Sequence, residues 1–329
     1  MRSHAGEQAA GGFDREIAVA GEAEVEAAGH VVVVTFVEVA GDEMGAMTTT
    51  FHSGAMGDAT RPGTMGRMRT DWPEGAEVAV SLTFDVDAES GWLGSDEAYV
   101  HRLSTLSEAR YGVTRGLPRI LDILRRHDVP ATFYVPGDTA ERHTQALQQV
   151  VEAGHEIGHH GYLHKQSDAI SAQEQREEIE RGTAALQDRL GVTPRGYRSP
   201  SWELTPETLK FLQEHGFEWD SSLMGDDRPY VHDGLLELPV HWSLDDWPHL
   251  HWKPGRGDAF TAPEAFLATW LAEFESAREE HRHVTYTMHP EVIGRGHRAA
   301  LLERLITEMR EQADVWFATH GDVARWVVG

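Results

Sequence analysis

The chain has 329 residues, no cysteine and a formal net charge of -25. That length holds one large α/β barrel or two smaller domains, and the acidity argues against duplex nucleic acid or an anionic membrane as partner, since both need a basic face. Without cysteine there is no disulfide, thiolate zinc site or cysteine nucleophile, and no apolar run is long enough to cross a bilayer.

Residues 1 to 70 are rich in Gly, Ala, Thr, Glu and Met, with one apolar stretch, Val31–Val39. This composition predicts a disordered or non-native extension, in which Val31–Val39 would be the one strand if ordered. Met44, Met47, Met56, Met65 and Met68 are alternative starts. The segment lacks the basic start, apolar core and small-residue cleavage site of a secretion signal, so the expected location is cytoplasmic.

From residue 71 to 329 the sequence predicts a catalytic domain of alternating strands and helices. Val78–Phe84 is a strand, with Val78, Val80, Leu82 and Phe84 on one face. Leu117–His127 has helical spacing, and Ala131–Val135 is a short β-rich run. A helix over Gln145–Ala153 is closed by Gly154, after which His155–Gly158 returns to the sheet. Gln173–Leu190 is a helix ended by Gly191. Thr205-Pro206-Glu207-Thr208 opens another, with threonine as cap and proline in the first turn. Strands are expected at Leu236–Trp242, Val284–Met288 and Val315–Ala318, and helices at Pro263–His281, Ala299–Glu311 and the C-terminus. The alternation predicts a parallel sheet with crossover helices, open or closed into a barrel. The polar motifs fall after strands, on the face where such folds carry chemistry.

Asp85-Val86-Asp87 places two carboxylates on one side of a strand end. Held that close they repel, and a cation, a proton or an arginine must compensate. His160 and His164, in Gly158-His159-His160-Gly161-Tyr162-Leu163-His164, have the spacing of a metal-binding pair. With the acids they read as a divalent-metal site with a spare carboxylate, the composition of a hydrolase. His155-Glu156-Ile157-Gly158-His159 matches the HExxH pattern literally, but that motif requires a helix and the surrounding glycines argue against one. His159 is expected to be a neighbour of the site rather than a ligand.

In Tyr197-Arg198-Ser199-Pro200-Ser201-Trp202, the arginine can orient and neutralise one of the aspartates, or be an ordinary surface arginine. Trp202 is either core or a platform for a substrate's apolar face. With Tyr162 and Trp247 it makes up the candidate substrate contacts. Trp247 lies in Leu238-Pro239-Val240-His241-Trp242-Ser243-Leu244-Asp245-Asp246-Trp247-Pro248, where aromatics surround paired acids. His289, in Thr287-Met288-His289-Pro290, ends a strand and is either a general acid or a satisfied core histidine.

In this order, FDVDAES, HHGYLH, RSPSW, LDDW and MHP resemble the five motifs of the polysaccharide deacetylase family, the NodB-homology or carbohydrate esterase 4 group. The resemblance runs from about Trp72 to the C-terminus. The separated aspartates, Gly91-Trp92-Leu93-Gly94 and Asp220-Ser221-Ser222-Leu223 are similar to the branch containing the Helicobacter-type peptidoglycan deacetylase and cyclic imide hydrolases. The resemblance implies a distorted (β/α)7 barrel. It implies Asp85 as base, and Asp87, His160 and His164 as ligands of a divalent metal, zinc first, with cobalt or nickel as alternatives. It further implies Arg198 orienting Asp85, and His289 as acid backed by Asp245 or Asp246, a choice the compressed motif leaves open.

The implied activity is hydrolysis of a C–N amide bond, on an N-acetylated sugar or peptidoglycan-type substrate or, alternatively, on a small cyclic imide or ureide. An Fe(II) oxygenase, which also uses two histidines and a carboxylate, and a non-catalytic carbohydrate-binding relative are the rival classes. Asp85, Arg198 and His289 together favour hydrolysis. A homo-oligomer is left open.

Overall fold

The computed structural model describes residues 17–27, 30–39, 46–50, 68–252, 260–312 and 314–329. Met44, Met56 and Met65 lie outside them. Residues 1–63 and 64–329 form two separate units.

In the first unit, β1 (Ile17–Ala27), β2 (His30–Val39) and β3 (Ala46–Thr50) pair antiparallel in that order. The expected strand Val31–Val39 lies inside β2, and two more accompany it. The overlooked signal in β1 is period-two alternation, Glu22, Glu24 and Glu26 against Ala23, Val25 and Ala27.

The second unit contains β4 (Val78–Asp85), β5 (Thr132–Val135), β6 (Glu156–His159), β7 (Gly196–Tyr197), β8 (Trp219–Asp220), β9 (Tyr230–His232), β10 (Leu235–Glu237), β11 (His283–Met288) and β12 (Val315–Phe317). The sheet order is β11-β4-β5-β6-β7-β8-β10-β9, with β12 also on β4. Every pairing from β11 to β10 is parallel; only β9, on the outer edge, runs antiparallel. Past β10, a single parallel bridge from Asp245 to Thr287 returns the chain to β11. The result is a distorted (β/α)7 barrel, as the motif resemblance implied.

All eight residues of β4 are buried, because neighbours cover both faces of this central strand. Its polar members are satisfied internally: the Ser81 hydroxyl donates to the Ala318 carbonyl and that of Thr83 to the Tyr286 carbonyl. The main core packs Leu82 and Phe84 with Phe133, Leu124, Trp270 and Met288; the Phe84 and Phe133 rings stack at 4.9 Å.

The helices Leu117–His127, Thr144–Glu152, Ala172–Leu190, Pro206–Glu214, Pro263–Glu279, Gly296–Gln312 and His320–Val328 follow the expected segments. The Thr205 cap is made, its side chain accepting from the Thr208 amide. One expectation needs correcting. Leu236–Trp242 is not one strand: β10 stops at Glu237, and Trp242–Leu244 is a 3-10 turn. Pro239 has no N–H to extend the ladder. Among the described residues no helix is long and apolar enough to cross a membrane.

Candidate functional site

Parallel register brings the motifs together. Asp85 pairs with Tyr134, Val135 with His159, His159 with Tyr197 and Tyr197 with Asp220, all near the C-terminal strand ends. Met288 pairs with Phe84, so His289 emerges beside Asp85.

Asp87, His160 and His164 each offer one ligand atom, all within 4.8 Å of one another. His160 Nε2 lies 3.5 Å from Asp87 Oδ1, and His164 Nε2 lies 3.4 Å from Asp87 Oδ2. His160 donates its Nδ1 proton to the Arg198 carbonyl at 2.7 Å, which leaves the Nε2 lone pair facing the carboxylate. Asp87 Oδ1 is buried with no hydrogen-bond partner. Two imidazole lone pairs and an orphaned carboxylate oxygen are a donor set that fits a divalent cation. The backbone is held in unusual conformations to achieve this, with Ala88 and His164 at φ of 48° and 57°.

Asp85 stands apart from that trio and is held differently. Arg198 Nη1 donates to Asp85 Oδ1 at 2.7 Å and to Thr83 Oγ1 at 2.9 Å. Arg198 Nε and Nη2 donate to the Ser221 carbonyl and hydroxyl, each at 3.0 Å, and the guanidinium lies 4.3 Å over the Tyr134 ring. Burial pushes the Asp85 carboxyl up, but Arg198, His160 and His289 outweigh it and hold the group below its usual range. Asp85 is therefore an ionised, desolvated carboxylate with one oxygen 3.9 Å from His160 Nε2.

On the opposite side, His289 Nδ1 donates to Asp246 Oδ1 at 2.8 Å, and its amide is 3.1 Å from both Asp246 oxygens. Asp245 lies farther, 3.5 Å from the same nitrogen, and accepts from the Trp247 amide at 2.8 Å. Asp246, of the two acids left open by the sequence, thus fixes the ring. Burial opposes an imidazolium here, yet Asp245, Asp246 and Asp87 raise the His289 pKa well above the ordinary value. Its Nε2 lies 3.8 Å from Asp87 Oδ2. Asp245, Asp246 and His289 also form a close acid–imidazole group, but the imidazole proton already serves Asp246.

The aromatic candidates divide. The Trp247 ring lies 4.9 Å from that of His289 and stacks on His251. Trp202 is buried against the half-exposed Trp242 at 4.3 Å, near the site but sealed by its partner. Tyr162 is not brought to the cluster. Its hydroxyl donates to Glu141 and its ring lies under Arg181, because the loop turns at Gly161 with φ 73° and sends the next side chain outward.

His159 bonds the helix Ala172–Leu190 through the Ile179 carbonyl and is no member of the trio. The HExxH stretch is a strand from Glu156, and an extended chain separates His155 from His159 by roughly 13 Å. Sequence reasoning missed Glu178, whose Oε2 accepts from the Tyr162 and Leu163 amides at 2.9 and 2.8 Å and so pins the His160–His164 loop. The available signal was weak: Glu178 shares a buried helical face with Gln175, Ile179 and Gly182. Glu291 was also missed. It is buried beside the site with Oε2 unpartnered, and burial followed by the Asp87 charge raises its pKa to about 8.

Residues 74–219 match the family model described as polysaccharide deacetylase. The Helicobacter pylori peptidoglycan deacetylase is 28% identical over 280 residues, covering 75% of this chain and 95% of that protein. A Mycobacterium smegmatis crystal structure described as a polysaccharide deacetylase is 42% identical with a TM-score of 0.75, covering 80% of this chain and 94% of that one. An allantoinase (PuuE) has the same fold, at 22% identity and a TM-score of 0.69 over 82% of this chain and 97% of its own. The chain belongs to the polysaccharide deacetylases, hydrolases of carbon–nitrogen amide bonds other than peptide bonds.

Proposed function

We propose that the protein is a divalent-metal-dependent N-deacetylase that removes acetyl groups from an N-acetylated sugar chain of the peptidoglycan type. The observation that carries this reading is the orphaned, buried Asp87 oxygen facing two imidazole nitrogens. The similarity to the Helicobacter pylori peptidoglycan deacetylase, over nearly all of that protein, supports the substrate class.

Asp87, His160 and His164 would hold the ion, zinc before cobalt or nickel. When bound, such an ion supplies Lewis acidity to the amide oxygen and lowers the pKa of water to about 7. Asp85, kept ionised by Arg198, takes the proton of the attacking water. Arg198 prevents Asp85 from swinging into the ligand set, so one aspartate of the pair stays free as base. His289 carries its proton on Nε2 toward the departing nitrogen, while Asp246 fixes Nδ1 and stabilises the imidazolium. Trp247 packs on that imidazole and shields it from solvent.

The reading is tested by offering the protein an acetylated chito-oligomer, a dihydrouracil-like imide and allantoin, each with zinc, cobalt or nickel. Acetate release from the oligomer alone is expected. Turnover of the imide or allantoin alone would move the assignment to small cyclic amides. Binding of the oligomer without product under every metal would leave a carbohydrate-binding relative.

A further inference from the structure

A second pair of acids lies behind the site, on strands that carry none of the proposed catalytic groups. Asp220 ends β8 and Glu237 ends β10, and the two are direct register partners. Each side chain is 1% exposed. Two carboxylates in that position would repel in a low-dielectric interior.

Glu237 Oε1 accepts from the amides of Ser222 and Leu223 at 2.9 and 3.0 Å. Asp220 Oδ1 accepts from the Ser222 hydroxyl at 2.8 Å, and that hydroxyl in turn accepts from the Ser199 amide at 2.8 Å. Asp220 Oδ2 is buried and unpartnered unless a proton lies between the acids. Together the acids hold Ser222 and Leu223, the residues that directly follow Ser221. Ser221 supplies the carbonyl and the hydroxyl that receive two of the Arg198 nitrogens.

We propose that Glu237 is a neutral carboxylic acid donating its proton to Asp220, and that this shared-proton pair is a positioning device for Arg198 and, through it, for Asp85. The inference rests on the reading of Asp85 as base. Burial raises both groups, Asp220 to about 6 and Glu237 further, the Asp220 charge adding to the second. Arg198 lowers Asp220 but does not offset its burial. The tyrosines around it, Tyr134, Tyr197 and Tyr230, all have pKa values raised by burial and stay neutral. Glu237 touches no ligand of the proposed ion, so its loss disturbs the base without emptying the metal site.

The experiment compares wild type, Glu237→Gln, Glu237→Ala and the double variant Asp220→Ala/Glu237→Ala. Infrared difference spectra at neutral pH, wild type minus Glu237→Gln, should show loss of one carboxylic-acid C=O stretch. This readout holds whatever the substrate proves to be. With the substrate on which wild type turns over, Glu237→Gln, whose amide also donates, should keep kcat within about threefold. Glu237→Ala should lose at least tenfold in kcat, with KM and zinc content little changed. Should a lone buried Asp220 stop Glu237→Ala from folding, the double variant, which leaves no unpaired charge, should show the same kcat loss. Absence of the acid band, Glu237→Gln as inactive as the alanine variants, or a folded alanine variant with wild-type kcat would each overturn the proposal. Loss of the band in a protein with no activity on any amide would sink the deacetylase reading and leave the shared proton standing.

Discussion

Arg198 reaches Asp85 across 113 residues of sequence to make a 2.7 Å ion pair with both side chains buried. Three of the other four N–H groups of that guanidinium go to fixed groups, one to Thr83 Oγ1 and two to Ser221. Lysine cannot reproduce this fork, because its ammonium is a single point charge. Arg198→Lys should lower kcat at least 100-fold while one zinc per chain is still bound. Stability should fall as well, since breaking a buried pair costs about 3–5 kcal/mol. Activity assays alongside metal analysis check this, and wild-type turnover in Arg198→Lys would remove Asp85 as the base.

The Asp246–His289 bond sets a pH limit. The His289 pKa is raised, so the charged form is present at low pH and lost as pH rises through the folded value. Activity that needs the proton falls on that same alkaline side, and so does the contribution of the pair to stability. Asp246→Asn removes one of the raising charges, so the alkaline limb of kcat should move to lower pH. A limb that stays in place would show that another group sets it.

Buried neutral histidines behind the site give the opposite slope. His283 bonds Ser81 at 2.9 Å, and burial lowers its pKa to about 3. The unfolded chain takes up this proton near pH 6.5 and the folded one does not, so stability is lost as pH falls from about 6.5 toward 3. Buried acids such as Glu237 and Glu291 have raised pKa values and pull the other way, so the group must be isolated by substitution. His283→Gln should gain roughly 2 kcal/mol relative to wild type on going from pH 7.5 to 5, read from urea midpoints. An equal difference at both pH values would contradict the neutral assignment.

A chain beginning at Met68 should keep the thermal midpoint and turnover of the full protein. It retains the Arg69 amide bond to the Val327 carbonyl and the Trp72 indole bond to the His281 carbonyl. Loss of activity on this truncation would give residues 1–67 a part in the enzyme.

The sequence is most readable where local chemistry and register coincide. Asp85 ends and His289 follows a buried, apolar-rich strand, Val78–Asp85 and His283–Met288, and parallel pairing turns that shared position into proximity. The parallel sheet with crossover helices follows from alternation in its strong elements, such as Val78–Asp85 and Ala172–Leu190, whereas its closure into a barrel is implied by the motif resemblance. Two-residue strands such as Gly196–Tyr197 and Trp219–Asp220 have no period to detect. Tyr162 was misplaced because its direction depends on the turn at Gly161, a backbone angle rather than a residue type. Asp245 and Asp246 were inseparable for a similar reason: the 3-10 turn that follows Pro239 decides which carboxylate meets the imidazole. Glu178 and Glu237 act on backbone amides far away in sequence, and no motif marks such contacts.

The central claim is that three side chains share one ion while Asp85 remains outside the ligand set. Equilibrium dialysis of wild type, Asp87→Ala and Asp85→Asn against zinc, followed by metal analysis, tests it directly. Wild type and Asp85→Asn should each retain one zinc per chain, with Asp85→Asn inactive, and Asp87→Ala should retain none. Equimolar zinc in Asp87→Ala, or its loss from Asp85→Asn, would contradict the division of labour between the two aspartates.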